Sequence, residues 1–134
     1  MSVRLRITTD TRGNKDGQPQ TTWGNLSAFN VPYIVVPDSF VTRNSIPRNA
    51  ISAVICGGNM FYGILGDTNG NNPEVIGEAS WLFGQTCFPD EGLFGAKGHS
   101  GVDVLCKLRG DKADYRYCVH DGVYRDEFDT YYGL

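Results

Sequence analysis

A mainly β fold with short helices and long loops is what this sequence predicts, on three observations. The chain holds 17 glycines and six prolines in 134 residues, a density of turn formers that suits strands better than a helical bundle. Its apolar runs are short and bounded by Pro, Gly and Asn. Two of those runs lie back to back across Gly57-Gly58-Asn59, the pattern of a β-hairpin.

Bulk composition narrows the class. With 40% hydrophobic, 20% charged and 12% aromatic residues the chain is globular, and residues 1–134 suffice for one domain around one core. Net charge is −3 and the basic residues are scattered singly, so no stripe exists for nucleic acid, while a mildly acidic surface suits a polycationic partner. No stretch has the length of a membrane span or the charged start and apolar core of a signal peptide. The expected setting is therefore a secreted domain without its leader, a piece of a longer protein, or cargo of a leaderless export route.

The elements follow in order. Residues 1–25 are in part an N-terminal arm, polar and rich in Gly, Gln and Asn over 10–25. Asn30-Val31-Pro32-Tyr33-Ile34-Val35-Val36-Pro37 is β-branched and framed by prolines, which predicts a strand. Residues 50–56 and 60–65 form the hairpin. Glu78-Ala79-Ser80-Trp81-Leu82-Phe83-Gly84 predicts a two-turn helix, with an acid at its start and Gly84 at its end. Residues 88–100 read as a surface loop. Residues 101–108 alternate apolar and polar, another strand. The tail from Asp111 sets Tyr115, Tyr117, Tyr124, Tyr131 and Tyr132 among acids, Arg116 and Arg125. No repeat, low-complexity segment or second domain is visible.

Cys56, Cys87, Cys106 and Cys118 make an even count without C-x-x-C spacing, and His99 and His120 do not sit at zinc-finger offsets, so no metal or other cofactor is expected. Two disulfides in an oxidising compartment are one reading and four reduced core thiols the other. Pairing is open; Cys87 and Cys106 flank a Gly-rich loop and can staple it.

Two carboxylates carry the chemistry. Asp67 sits in a Gly-framed turn after Met60-Phe61-Tyr62-Gly63-Ile64-Leu65, and Glu78 opens the next apolar run. Two acids at the ends of rigid elements, joined by a polar loop, are the minimum for acid/base cleavage of a glycosidic bond. An acid beside Leu65 is desolvated, which favours the protonated form that a donor needs. Taken by spacing alone, a turn Asp and a helix-start Glu explain the same residues.

The wider context shifts that balance. Tyr62-Gly63-Ile64-Leu65-Gly66-Asp67-Thr68-Asn69-Gly70, followed by Ile76-Gly77-Glu78-Ala79-Ser80, resembles the core of the chitosanases of glycoside hydrolase family 75. The strand at 30–37 and Gly98-His99-Ser100-Gly101-Val102-Asp103-Val104-Leu105 are similar to flanking segments of that family, so the resemblance covers most of residues 28–108. It implies a six-stranded double-psi β-barrel and inverting hydrolysis of β-1,4-linked glucosamine chains, with Asp67 and Glu78 as the two catalytic carboxylates. By analogy with other such barrels Asp67 takes the acid role, and Glu78 is the base or the group that stabilises positive charge at the anomeric carbon. The chain is short for the family and its tail does not align.

Around that pair, Thr68 and Asn69 can bond a carboxylate or the sugar, against a plain turn role for the Asn-Gly pair. Ser80 can hold a catalytic carboxylate, against a plain role as a helix cap. Tyr33 and Tyr62 can stack on sugar rings, and Trp23, in the polar arm, is a better platform than Trp81, which reads as core. Asp103 is a candidate for a substrate ammonium, and His99 for the site rim. The substrate partner is thus a polysaccharide, with neither nucleic acid nor membrane.

Three other readings compete. A peptidoglycan hydrolase of muramidase type, delivered to a bacterial periplasm as an antibacterial effector or lytic module, keeps the chemistry and adds an inhibitor or immunity protein as partner. An expansin-like carbohydrate-binding barrel drops catalysis but tends to keep one acid. A Cys/His hydrolase lacks a nucleophile context.

Overall fold

The computed structural model describes residues 5–14, 21–101, 103–110 and 115–118; the expectations for the middle of the N-terminal arm and for the tail past residue 118 lie outside them. Seven strands and two short helices follow in the order β1 (Arg6–Thr8), β2 (Tyr33–Pro37), α1 (Asp38–Arg43), β3 (Ile51–Cys56), β4 (Asn59–Asn69), β5 (Glu78–Ser80), α2 (Trp81–Cys87), β6 (Leu105–Arg109) and β7 (Tyr115–Tyr117). Among the described residues the strands form one mixed sheet in the order β1-β5-β2-β4-β3-β6-β7, mainly β as expected.

β2 is the centre of the half that matters here. All five of its residues are buried, it runs parallel to β4 on one side and antiparallel to β5 on the other, and its unbroken apolar run suits a strand covered on both faces. Alternation splits its side chains: Ile34 and Val36 enter the main core with Leu65, Ala79, Phe83 and Phe88, whereas Tyr33 and Val35 join Leu26 and Ala28 in a second cluster. α1 contributes Phe40 and α2 Phe83 to the main core.

The β3–β4 hairpin forms as expected. Gly57 and Gly58 take φ of 55° and 77°, the double left-handed turn that only glycine accepts without strain, and Cys56 pairs with Asn59 across it.

Four expectations are corrected. Glu78 does not open a helix: Glu78–Ser80 is strand β5, held between β1 and β2, and α2 starts at Trp81 behind Ser80 as N-cap. The good helix propensity of E-A-S lost to ladder pairing on both sides. Asp67 is not in a turn, because β4 continues through it to Asn69. The bridges are Cys56–Cys87, tying α2 to the hairpin, and Cys106–Cys118, so neither the Cys87–Cys106 staple nor the reduced state stands. The described parts of the arm past Thr8 and the 88–100 stretch hold no helix or strand, as expected, and are bonded in place: Gly13 and Leu26 exchange both backbone hydrogen bonds, and so do Leu5 and His99. The strand anticipated over 101–108 is regular only from Leu105.

Candidate active site

The geometry of the site begins with a bulge. On β4, Ile64 pairs with Tyr33 and Leu65 with Ile34, but Val35 pairs with Asp67, so Gly66 is skipped. Leu65 points into the main core. In an unbroken strand Asp67, two residues on, would point the same way. The extra residue turns it to the face of Tyr33 and Val35 instead, a re-aiming that bulges commonly perform.

Gly66 is required there. A Cβ on it would lie 2.5 Å from Cβ and Cγ of Tyr33, whose ring crosses over the bulge. Glycine in the G-D-T motif is thus explained by a close side-chain approach.

Glu78 reaches the same face from the other side. It too pairs with Val35, through the β2–β5 ladder, while its neighbour Ala79 joins the main core. Asp67 and Glu78 are therefore two ladder steps apart, roughly 9–10 Å between backbones at ordinary strand spacing. Asp67 is 8% exposed, and the Thr68 backbone N–H donates to its Oδ1 at 2.9 Å. Asn69 Nδ2 donates to Glu78 Oε2 at 2.8 Å, spanning from the end of β4 to the start of β5.

Tyr33 links the pair electrostatically. Burial pushes its phenol above the ordinary range, and the negative charges of Asp67, Asp10 and Glu78 push it further, so the hydroxyl stays protonated. Its Oη lies 3.4 Å from the Asp10 carbonyl oxygen as donor. Three carboxylates thus bear on one buried phenol.

Beside Glu78 a cleft of about 270 Å³ is lined by Arg6, Ile7, Glu78, Gly95, Ala96 and Gly98. Arg6 pairs directly with Glu78 across β1–β5 and so shares its face. Further along the sheet, Val31, Pro32, Ile51, Tyr62, Gly63 and Ile64 line an apolar hollow of about 490 Å³, with Tyr62 61% exposed. Tyr62 precedes Ile64 by two residues on β4, which puts it on the carboxylate face.

A family model described as fungal chitosanase of glycosyl hydrolase group 75 matches residues 5–115. The chain belongs to this family. An endo-chitosanase C of Aspergillus oryzae is 51% identical over 122 residues, covering 89% of this chain and 32% of that protein. An endo-chitosanase of Aspergillus fumigatus is 48% identical over 87 residues, 60% of this chain and 36% of that protein. A further endo-chitosanase of A. oryzae is 34% identical over 107 residues, 66% of this chain and 43% of that protein. The chain spans about a third of the length of the first of these relatives.

On this group 75 scaffold the remaining sequence candidates sort clearly. Asp67, Glu78, Asn69 and Tyr33 are brought together on the Val35 face, whereas Thr68 pairs with Val36 and meets Asp67 through its backbone N–H. Asp103 is engaged elsewhere: its Oδ1 lies 2.7 Å from His99 Nε2, Glu91 Oε1 lies 2.8 Å from Nδ1, and the imidazole stacks on Phe88 at 3.7 Å. Burial pulls that imidazole down, yet bonds and charges from Glu91 and Asp103 outweigh it and hold it above its ordinary value. Trp23 stands 85% exposed in the turn between Thr21 and Gly24. Trp81 packs against the main core and on Phe29. Ser80 is the N-cap, its Oγ accepting from the N–H groups of Phe83 and Tyr33.

Sequence reasoning missed Arg6 and Asp10. Neither sits in a motif, and only strand pairing and the fold of the arm carry them to the site. The loop between the two carboxylates is also tied down: Glu74 takes a bidentate bond from Arg43 and one from the Ser39 hydroxyl, and Asn71 accepts from the Ser39 N–H. Among the described residues no group of three or more His, Cys, Asp or Glu is placed to hold a metal, and no helix is long and apolar enough to cross a membrane.

Proposed function

We propose that this chain hydrolyses the β-1,4 bonds of chitosan with inversion, using Asp67 and Glu78. The observation that carries the reading is their common pairing with Val35, in a chain of the group 75 family. Two carboxyls in an inverting glycosidase stand about 6.5–9.5 Å apart to admit a water, and backbones two ladder steps apart suit that spacing. Asp67, largely buried, protonates the glycosidic oxygen as its bond to the anomeric carbon breaks. Glu78, bordering the open cleft with Arg6, takes a proton from the water that attacks that carbon from the opposite side. Tyr33 remains a neutral hydroxyl beside them throughout. The aromatic and apolar hollow at Tyr62 offers a C–H surface for a further sugar ring.

Two supporting readings go with it. A double-psi barrel is favoured by the Gly77 N–H, which donates to the Cys118 carbonyl at 3.0 Å and so joins the segment before β5 to the residue after β7. An oxidising, extracellular setting is favoured by the two disulfides. A purely carbohydrate-binding barrel is disfavoured, since it has no use for two facing acids.

The test incubates purified chain with soluble chitosan and, separately, with peptidoglycan sacculi, beside Asp67→Asn and Glu78→Gln. Reducing ends from chitosan alone, lost in both variants, with the product anomer inverted, is the expected result. Release from sacculi alone moves the substrate to peptidoglycan. No release from either polymer removes the hydrolase reading.

A further inference from the structure

We infer that Asn69 is a positioning residue that fixes the rotamer of Glu78 and selects its reacting oxygen; this rests on Glu78 acting as proposed above. Asn69 closes β4 two residues after Asp67, so it shares the face onto which the bulge at Gly66 turned the aspartate. From there its amide spans to β5 and donates from Nδ2 to Glu78 Oε2 at 2.8 Å, with a longer contact of 3.4 Å to the Val75 carbonyl. A carboxylate offers only acceptors, and so does a carbonyl, so both neighbours demand the NH2 end of the amide. Its orientation is thereby fixed by chemistry.

The other end of the amide separates a functional from a structural reading. Asn69 Oδ1 is buried and has no hydrogen-bond partner among the described residues. An asparagine kept for packing or turn formation does not leave a buried acceptor unmet, because that costs free energy a smaller or apolar residue avoids. The arrangement makes sense if the residue is held for its donor end, aimed at one oxygen of Glu78. Oε2 is then occupied, and Oε1 is the oxygen turned to a water. Since Asn69 and Asp67 ride on one strand, the same rigid element that places one carboxylate also orients the other. A base must hold its geometry within a fraction of an ångström, and this bond supplies the restraint.

The experiment measures kcat and KM separately on soluble chitosan for the parent chain, Asn69→Leu, Asn69→Asp, Asn69→Ser and Glu78→Gln, with thermal melts alongside. Asn69→Leu keeps the bulk and removes the donor; kcat should fall about tenfold with KM within about twofold of the parent, the split expected when a transition-state contribution is lost. Asn69→Asp, which sets a second acceptor against Oε2, should fall further than the leucine. If the leucine chain fails to fold, Asn69→Ser reads the same quantities with a shorter side chain that cannot reach Oε2. An unchanged kcat in the folded variants, while Glu78→Gln is inactive, overturns the positioning role alone. A raised KM with kcat intact overturns it too, by making Asn69 a sugar ligand. Full activity in Glu78→Gln removes the base assignment and this inference with it.

Discussion

Asp67 and Glu78 are register partners of one residue, Val35, the first through a parallel ladder and the second through an antiparallel one. A strand has two edges, and β2 uses both to hold an acid at the same height. The sheet, not the loop between them, sets their separation, which is why the ten intervening residues can be polar and turn-rich without loosening the pair.

From that geometry, removing either carboxyl should abolish turnover without unfolding the chain. Asp67→Asn and Glu78→Gln are expected to lower kcat by about 10²–10⁴-fold, the usual contribution of a general acid or base. Circular dichroism and melts of both variants should match the parent. A variant that stays fully active would remove its residue from the mechanism.

Gly66→Ala tests the bulge. The new methyl meets Tyr33 at 2.5 Å, and overpacking of this kind costs about 1–3 kcal/mol. Urea unfolding should report that loss. Activity should drop by more than the stability change explains, because Tyr33 or Asp67 must move to make room. Unaltered stability would mean that the ring has another place to go.

His99 sets a pH dependence of stability. Its folded value is raised by Glu91 and Asp103 despite burial, so the charged ring is favoured by folding. That contribution is complete below about 6.5, the ordinary histidine value, and is lost as pH rises through the higher folded value. Its size is moderated by solvent, since the two carboxylate side chains are 41% and 57% exposed. Melting temperature of the parent should decline between mildly acid and alkaline pH more steeply than that of His99→Gln. Parallel curves would show that the bridge contributes nothing.

Tyr62→Ala addresses the hollow beyond Ile64. Stripping an exposed ring from a sugar-stacking surface should raise KM roughly 2- to 10-fold, the worth of one aromatic contact, and leave kcat in place. Steady-state kinetics on long and short chitosan oligomers would show the effect on long chains only. An equal KM on both would separate the hollow from substrate binding.

Much of this was legible in the residues. G-D-T-N-G and I-G-E-A-S marked the two acids, the β2 run declared itself through its prolines, and Gly57-Gly58 announced the hairpin. Glu78 reads as a helix start because E-A-S has helical propensity and nothing local reveals two flanking strands. Asp67 reads as a turn residue because glycine and asparagine around it serve equally as a bulge and a strand end. The bulge itself is a relation between Gly66 and the Tyr33 ring, thirty-odd positions apart. Arg6 and Asp10 were invisible for the same reason, and cysteine pairing is a matter of three-dimensional proximity that spacing does not encode.

Ser80 has a consequence for how α2 and β2 are held. One hydroxyl oxygen receives the first turn of α2 through Phe83 and the first residue of β2 through Tyr33, while the far end of that helix is tied covalently at Cys87 to Cys56. The helix is a strut anchored at both ends, and its seven residues are too few to hold shape alone. Removing that one oxygen would take an acceptor from the amides of Tyr33 and Phe83 at once, at the start of α2 and at the residue whose ring lies over the bulge.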